Sequence, residues 1–265
     1  SVDGMEHVPE SGGVLLLGNH ISWIDWAIIQ IAYPRPVHFV MLKIIYERWY
    51  LKWFFKLFGT IPIESGPSST ESLDQVAALL NQGKVVCLFP EGTISRTGHL
   101  AEFRRGYERA AEAANENVLI QPFYMRGLWG SQFSRSSDKL KSLRSKTGGR
   151  DLVVAFGKPI NKNTKVDQVK HEVQNLSITS WENHAQSFQT LPQAWIEIVK
   201  QQPGEMILAD RQKGANKTVS GQEALVIASL LAKKIITRTH EKNIGVIIPQ
   251  SINCSLINMA ILMAG

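Results

Sequence analysis

The stretch Val14-Leu15-Leu16-Leu17-Gly18-Asn19-His20-Ile21-Ser22-Trp23-Ile24-Asp25 runs from an unbroken apolar segment into a histidine and an aspartate. A short apolar run closed by glycine reads as a strand buried on both faces, as in a parallel sheet. The pattern predicts a strand near residues 14–17, ending at Gly18, and a helix over 22–32 with Ser22 as its cap. His20 then sits on the turn and Asp25 in the first helical turns, from where its carboxylate can reach back to the imidazole. Histidine changes protonation near neutral pH, and a carboxylate on one ring N–H fixes the tautomer that leaves the other nitrogen basic. The two residues are a candidate general base and its orienter. Ser22 lies close to His20 but has no Gly-x-Ser-x-Gly elbow around it, which argues against a serine nucleophile.

A second block has the same logic. Val85-Val86-Cys87-Leu88-Phe89 reads as another buried strand, Pro90 stops its ladder, and Gly92 permits a tight turn. Such a turn exposes backbone N–H groups near residues 92–95. Thr93, Ser95 and Arg96 add hydroxyls and a fixed cation suited to a phosphate. Glu91 would repel a phosphate, so it is expected on a ligand hydroxyl or on Arg96. Each block alone also reads as ordinary structure, a chance His-x4-Asp spacing or a plain turn. Their joint placement after apolar strands favours a site, because ligands of α/β sheets bind beyond the carboxyl ends of strands.

Strands are expected near 14–17, 37–41, 60–63, 85–89, 118–124 and 151–156, with helices near 22–32, 43–58, 70–82 and 105–115. Alternation of this kind predicts an α/β fold, a mixed, largely parallel sheet flanked by helices. Thr70 or Ser72 can open the third helix and Gly83 ends it. Phe103-Arg104-Arg105-Gly106 leads into the fourth, where the arginines face either the acceptor site or solvent.

The chain resembles the glycerolipid acyltransferases that carry a His-x4-Asp motif. The matching blocks are Asn19 to Asp25, Gly59-Thr60-Ile61-Pro62-Ile63, Phe89-Pro90-Glu91-Gly92-Thr93 with Ser95, and Val118-Leu119-Ile120-Gln121-Pro122, in the family order. The resemblance implies His20 as base and Asp25 as its partner. It places Glu91, Gly92, Thr93, Ser95 and Arg96 at the acceptor, with Asn19 and Ser22 supporting and Pro122 on the acyl side. No metal or cofactor is implied; acyl-carrier protein or coenzyme A brings the acyl group as a thioester. Many members end the second block in an arginine that binds the acceptor phosphate, whereas Ile63 is followed by Glu64, Ser65 and Gly66. The expected acceptor is accordingly a lysophospholipid rather than plain glycerol-3-phosphate; 2-acylglycerophosphoethanolamine is what the resemblance to the bifunctional enzyme given below implies. A noncatalytic lipid-binding module is the alternative.

The 265 residues are 44% hydrophobic, enough for one sizeable core and a small second one. The formal charge of +6 suits an anionic surface. Nucleic acid is disfavoured, because the basic residues form no recognised binding motif. Cys87 and Cys254 lack disulfide or metal spacing, which fits a reducing compartment. No apolar stretch is long enough to span a bilayer. Peripheral attachment at the cytoplasmic face of the cell membrane is the expectation. Residues 46–58, dense in aromatics around Arg48, Lys52 and Lys56, read equally as an interfacial anchor or as a core helix with snorkelling lysines. Arg135, Lys139, Lys141, Arg144, Lys146 and Arg150 read as a solvated loop or a headgroup contact.

The acyltransferase domain is expected to cover residues 1–160, followed by a linker at 161–176 that carries a short helix. A smaller, incomplete α/β segment then occupies 177–265. Its expected elements are helix 183–201, strand 205–209, helix 221–236, strand 244–248 and helix 251–263. It resembles the opening of the adenylate-forming acyl ligases through Met206-Ile207-Leu208-Ala209-Asp210, Ser220 to Leu225 and Val246 to Ser251. That family's ATP-phosphate loop is absent, so ATP and magnesium would serve only with a full ligase domain. Together the resemblances imply a piece of a bifunctional acyl-carrier-protein synthetase and lysophospholipid acyltransferase, unable by itself to adenylate a fatty acid.

Overall fold

The computed structural model describes residues 1–47, 59–63, 70–145, 149–212 and 215–265. The aromatic segment from Arg48 to Phe58, the Glu64-Ser65-Gly66 departure and Lys146 lie outside the described residues. The chain divides into two compact units, Ser1–His184 and Ala185–Gly265.

In the first unit the described strands are β1 (Val2–Asp3), β2 (Val14–Gly18), β3 (Val37–Leu42), β4 (Ile61–Ile63), β5 (Val85–Leu88), β6 (Leu119–Arg126), β7 (Val153–Phe156) and β8 (Ile160–Asn161). They form one sheet in the order β1-β7-β6-β2-β5-β3-β4, with β8 on β6. Only β6 pairs antiparallel, with β7 and β8. The mixed, largely parallel sheet is the one expected from the alternation.

β2 shows why an apolar run without polar alternation was needed. Leu15 and Leu17 enter one core layer with α3 (Thr70–Asn81), α4 (Gly106–Ala113) and α6 (Val166–Ala185). Val14 and Leu16 enter the opposite layer with Ile29 and Ala32 of α1 (Asp25–Ala32). Both faces are covered, so neither can be polar.

Pro122 lies inside β6, where a missing N–H would normally break a ladder. It falls between the part of β6 paired with β8, Leu119 and Ile120, and the part paired with β7, Phe123 onward. The Pro122 carbonyl still accepts from Gly157 N at 2.8 Å.

Three boundaries differ from expectation. The segment read as a linker at 161–176 holds the end of β8 and most of α6, a 20-residue helix. Val166, Val169 and Val173 bury a narrow stripe of that helix in the core of the first unit, so this unit extends to His184. The helix read as 183–201 is two: α6 ends at Ala185, and α7 (Leu191–Gln201) starts anew behind a Thr190–Gln193 capping box. The expected strand at 244–248 is absent; Ile247 stands fully exposed there.

The second unit otherwise contains an antiparallel hairpin, β9 (Met206–Gln212) with β10 (Ala215–Ser220), then α8 (Gly221–Arg238) and α9 (Ile252–Ala264). Ala228, Ala232 and Ala260 centre its small core. No helix among the described residues is long and apolar enough to cross a membrane.

Candidate active site

Parallel register brings the two sequence blocks together. Leu17 of β2 pairs with Leu88 of β5, so three residues further along each chain His20 and Glu91 emerge side by side at the carboxyl edge of the sheet. The turns are then laced: His20 N donates to Glu91 Oε1 at 2.8 Å, and Ser95 N donates to the His20 carbonyl at 2.8 Å. Asn19 fixes the other flank by imitating backbone. Its amide donates to the Met125 carbonyl and accepts from Met125 N, at 2.9 and 2.7 Å.

The imidazole is held on two sides. His20 Nδ1 lies 2.8 Å from Asp25 Oδ2, and the ring stacks on Phe89 with centroids 4.1 Å apart. Asp25 is completely buried, which a lone carboxylate would not tolerate. Its charge is met by Ile21 N at 2.7 Å, Ser22 N at 3.0 Å and the Ser22 hydroxyl. An acceptor-only carboxylate on Nδ1 assigns the proton to that nitrogen and leaves Nε2 basic. Ser22 is no helix cap: α1 begins at Asp25 with Ile24 at the cap position and no side-chain cap bond. The buried Ser22 hydroxyl orients Asp25 instead, because the chain needs that carboxylate turned back towards residues 20–22 before the helix starts.

Glu91 is not tied to Arg96. Its two oxygens accept from His20 N and Ala101 N, at 2.8 and 3.1 Å, while Arg96 is exposed. Two amides expected to be open to an anion are also engaged, Gly92 N by the Phe89 carbonyl and Ser95 N by His20. The Ser95 hydroxyl is spent inside the loop on His99 O and Gly98 N. Thr93 and Arg96 remain on the surface.

Gly92 has φ +69°, and a Cβ there would meet the Arg104 guanidinium carbon at 2.9 Å. Glycine therefore serves both the turn and the approach of Arg104, whose own N–H is tied to the Pro90 carbonyl at 2.8 Å. The Phe-Arg-Arg-Gly signal was visible in the sequence; its seat against Gly92 was not. Cys87 sits beneath the site, where burial, with the Asp25 charge nearby, pushes its thiol well above the ordinary range. It is a packing residue rather than a nucleophile.

Burial also raises the Glu91 carboxyl above its ordinary range, opposed by the N–H groups of His20 and Ala101. With the folded-state value raised, the contribution of this group is complete below the ordinary value of 4.5 and declines as pH rises through the raised one. Glu91→Gln keeps one acceptor but turns its NH2 towards the other backbone donor, costing about 1–3 kcal/mol. Its Tm should fall, with the gap to wild type narrowing as pH rises above the ordinary carboxyl value of 4.5. Melting curves at three pH values check this; an unchanged Tm throughout would remove Glu91 as the tie between the turns.

The acyltransferase family model matches residues 1–126. A probable 1-acyl-sn-glycerol-3-phosphate acyltransferase of Mycoplasma pneumoniae is 27% identical over 190 residues, covering 69% of this chain and 68% of that protein. The 1-acyl-sn-glycerol-3-phosphate acyltransferase of Bacillus subtilis is 24% identical over 102 residues, 38% of this chain and 50% of the relative. The chain thus spans about two thirds of the first relative's length and half of the second's. Among solved structures, the 1-acyl-sn-glycerophosphate acyltransferase PlsC of Thermotoga maritima is similar with a TM-score of 0.52 at 15% identity, covering 71% of this chain and 73% of that one. The chain is thus similar to the acyltransferase family over residues 1–126, and its mixed, mostly parallel sheet is of the kind PlsC has.

Proposed function

We infer that the first unit is an O-acyltransferase that moves a fatty acyl group from a thioester to the free hydroxyl of a lysophospholipid. The observation that carries this reading is the 2.8 Å His20–Asp25 bond at the carboxyl edge of the sheet, locked to the neighbouring turn by Glu91 and Ser95. The acceptor hydroxyl gives its proton to His20 Nε2 as its oxygen attacks the thioester carbonyl carbon. The C–S bond then breaks, and the departing thiolate receives the proton back from His20. Asp25 stabilises the imidazolium between the two transfers. No covalent acyl-enzyme is required.

The finer assignments extend that reading. Acyl-carrier protein or coenzyme A is the proposed donor carrier and 2-acylglycerophosphoethanolamine the proposed acceptor, presented at the cytoplasmic membrane face. Arg104 beside Gly92, with exposed Arg96, supplies the positive charge for the acceptor phosphate. Pro122 is buried in β6 and is proposed to shape the acyl side from within the sheet. Arg104→Ala should raise KM for the acceptor about tenfold with a smaller change in kcat. Initial rates across acceptor concentrations test this, and an unchanged KM would move the phosphate elsewhere. The second unit is proposed as the opening of an adenylate-forming ligase, supported by the Ser220–Glu223 capping box at the helix start noted in the sequence.

The deciding experiment follows a labelled acyl group from acyl-carrier protein or acyl-coenzyme A onto a panel of lysophospholipids and glycerol-3-phosphate. Turnover on a lysophospholipid supports the reading and identifies its headgroup. Turnover on glycerol-3-phosphate alone overturns the acceptor, and lipid binding without turnover on any member favours the noncatalytic module.

A further inference from the structure

Beside the catalytic edge the surface is built of aromatic side chains that the fold holds outward. Trp23, three residues past His20, is 47% exposed, and Phe133 is 51% exposed. They belong to one small pairing: Ser22 and Ser134 form an antiparallel bridge, and Trp23 N donates to the Phe133 carbonyl at 2.9 Å. The loop presenting Phe133 is braced from within. The buried Ser134 hydroxyl donates to the Ser131 carbonyl at 2.8 Å and accepts from Gly130 N at 3.1 Å; Ser136 Oγ lies 2.9 Å away. Arg150 reaches the Gly127 and Gly130 carbonyls at 3.2 and 2.9 Å. With so many internal bonds, the exposure of Phe133 is a property of a fixed loop.

Charge around these rings is positive. The Arg135 guanidinium carbon lies 5.1 Å from the centre of the Trp23 ring, a cation–π pairing. Trp129 packs over Gly98 in the loop after the second turn and donates to the carbonyl of exposed Arg96 at 3.4 Å. Asp25, two residues past Trp23, is fully buried, and the acidic residue nearest in sequence to Phe133 and Arg135, Asp138, is paired with Lys141 at 3.6 Å. α1 adds to the apolar surface: it has no charge after Asp25, and Ile31 is 83% exposed.

We propose that Trp23 and Phe133, with Arg135, dock the catalytic edge onto an anionic phospholipid bilayer. Trp and Phe rings at the interface with arginines beside them match the acyl–headgroup boundary, where apolar bodies bury and cations meet phosphate. The proposal deepens the acyltransferase reading, in that an acceptor resident in the bilayer reaches His20 from the surface on which the protein rests. An acidic carrier protein would match the cations but leave the outward aromatic pair without a purpose.

The test uses the 265-residue chain and sucrose-loaded vesicles of phosphatidylethanolamine with phosphatidylglycerol, or of phosphatidylcholine alone. The wild type should cosediment with the anionic vesicles. Trp23→Ser/Phe133→Ser should weaken this about tenfold or more, and Arg135→Gln should weaken binding to the anionic vesicles only. Unchanged melting of both variants establishes that they fold. Cosedimentation reads docking independently of turnover, so failure of the acyltransferase reading leaves it measurable. With a short-chain lysophospholipid below its critical micelle concentration, the double variant should keep wild-type turnover while losing it on vesicle-embedded acceptor. Equal vesicle binding by wild type and double variant would overturn the proposal. So would loss in the variants of binding to immobilised acyl-carrier protein with vesicle binding intact.

Discussion

His20→Ala is expected to lower kcat for acyl transfer by about a thousandfold, within the range that general-base catalysis supplies. The fold should survive, because the ring lies at the rim and Asp25 retains Ile21 N, Ser22 N and the Ser22 hydroxyl when the imidazole is removed. What disappears is Nε2 and the stacking on Phe89. Acceptor KM should change little, since the proposed phosphate charge comes from Arg104 and Arg96 on the other turn. Steady-state kinetics with lysophospholipid, alongside a melting curve, check both parts. A folded variant with near wild-type kcat would sink the general-base assignment.

Asp25→Asn should reduce kcat by about a thousandfold or more, because a neutral amide cannot stabilise the imidazolium and can hold the wrong tautomer. Its oxygen can still face the N–H groups of residues 21 and 22 while its NH2 meets Ser22 Oγ, so the stability loss should be modest. Asp25→Ala differs. It leaves the Ile21 and Ser22 N–H groups buried without their acceptor, and stability should fall by about 3 kcal/mol or more. Denaturant titration of both variants separates the two effects. Equal destabilisation by Asn and Ala would mean that the carboxylate, rather than any acceptor at that position, holds the turn.

Other features show where local pattern stops. Asn161-Lys162-Asn163-Thr164-Lys165 looked like linker because it is polar, yet Lys162 is buried with its ammonium 2.7 Å from the Ala114 carbonyl and 3.0 Å from Glu116. A buried lysine neutralised by distant partners cannot be told from a solvated one by its neighbours in sequence. The α6 stripe of Val166, Val169 and Val173 is too narrow to announce a 20-residue helix, since most of its circumference faces water. Ile244 to Ile248 has strand composition, but a strand requires a hydrogen-bonding neighbour, and none is present among the described residues.

The sequence by itself determined the class of sheet and the positions of the two turns proposed to carry the site. Unbroken apolar runs mark strands covered on both faces, and the residues that end them, Gly18 and Pro90, act through their own backbone chemistry. The pairing of His20 with Asp25 was equally legible, because five residues across a strand-to-helix turn bring the groups together locally. Only the tertiary structure decided that Glu91 ties the turns rather than contacting Arg96, that Arg104 rests on Gly92, and that Trp23 stands beside Phe133. Each of these depends on register between segments far apart in the chain. Register is set by the packing of whole strands against each other, a free energy shared among many side chains that no single stretch of sequence contains.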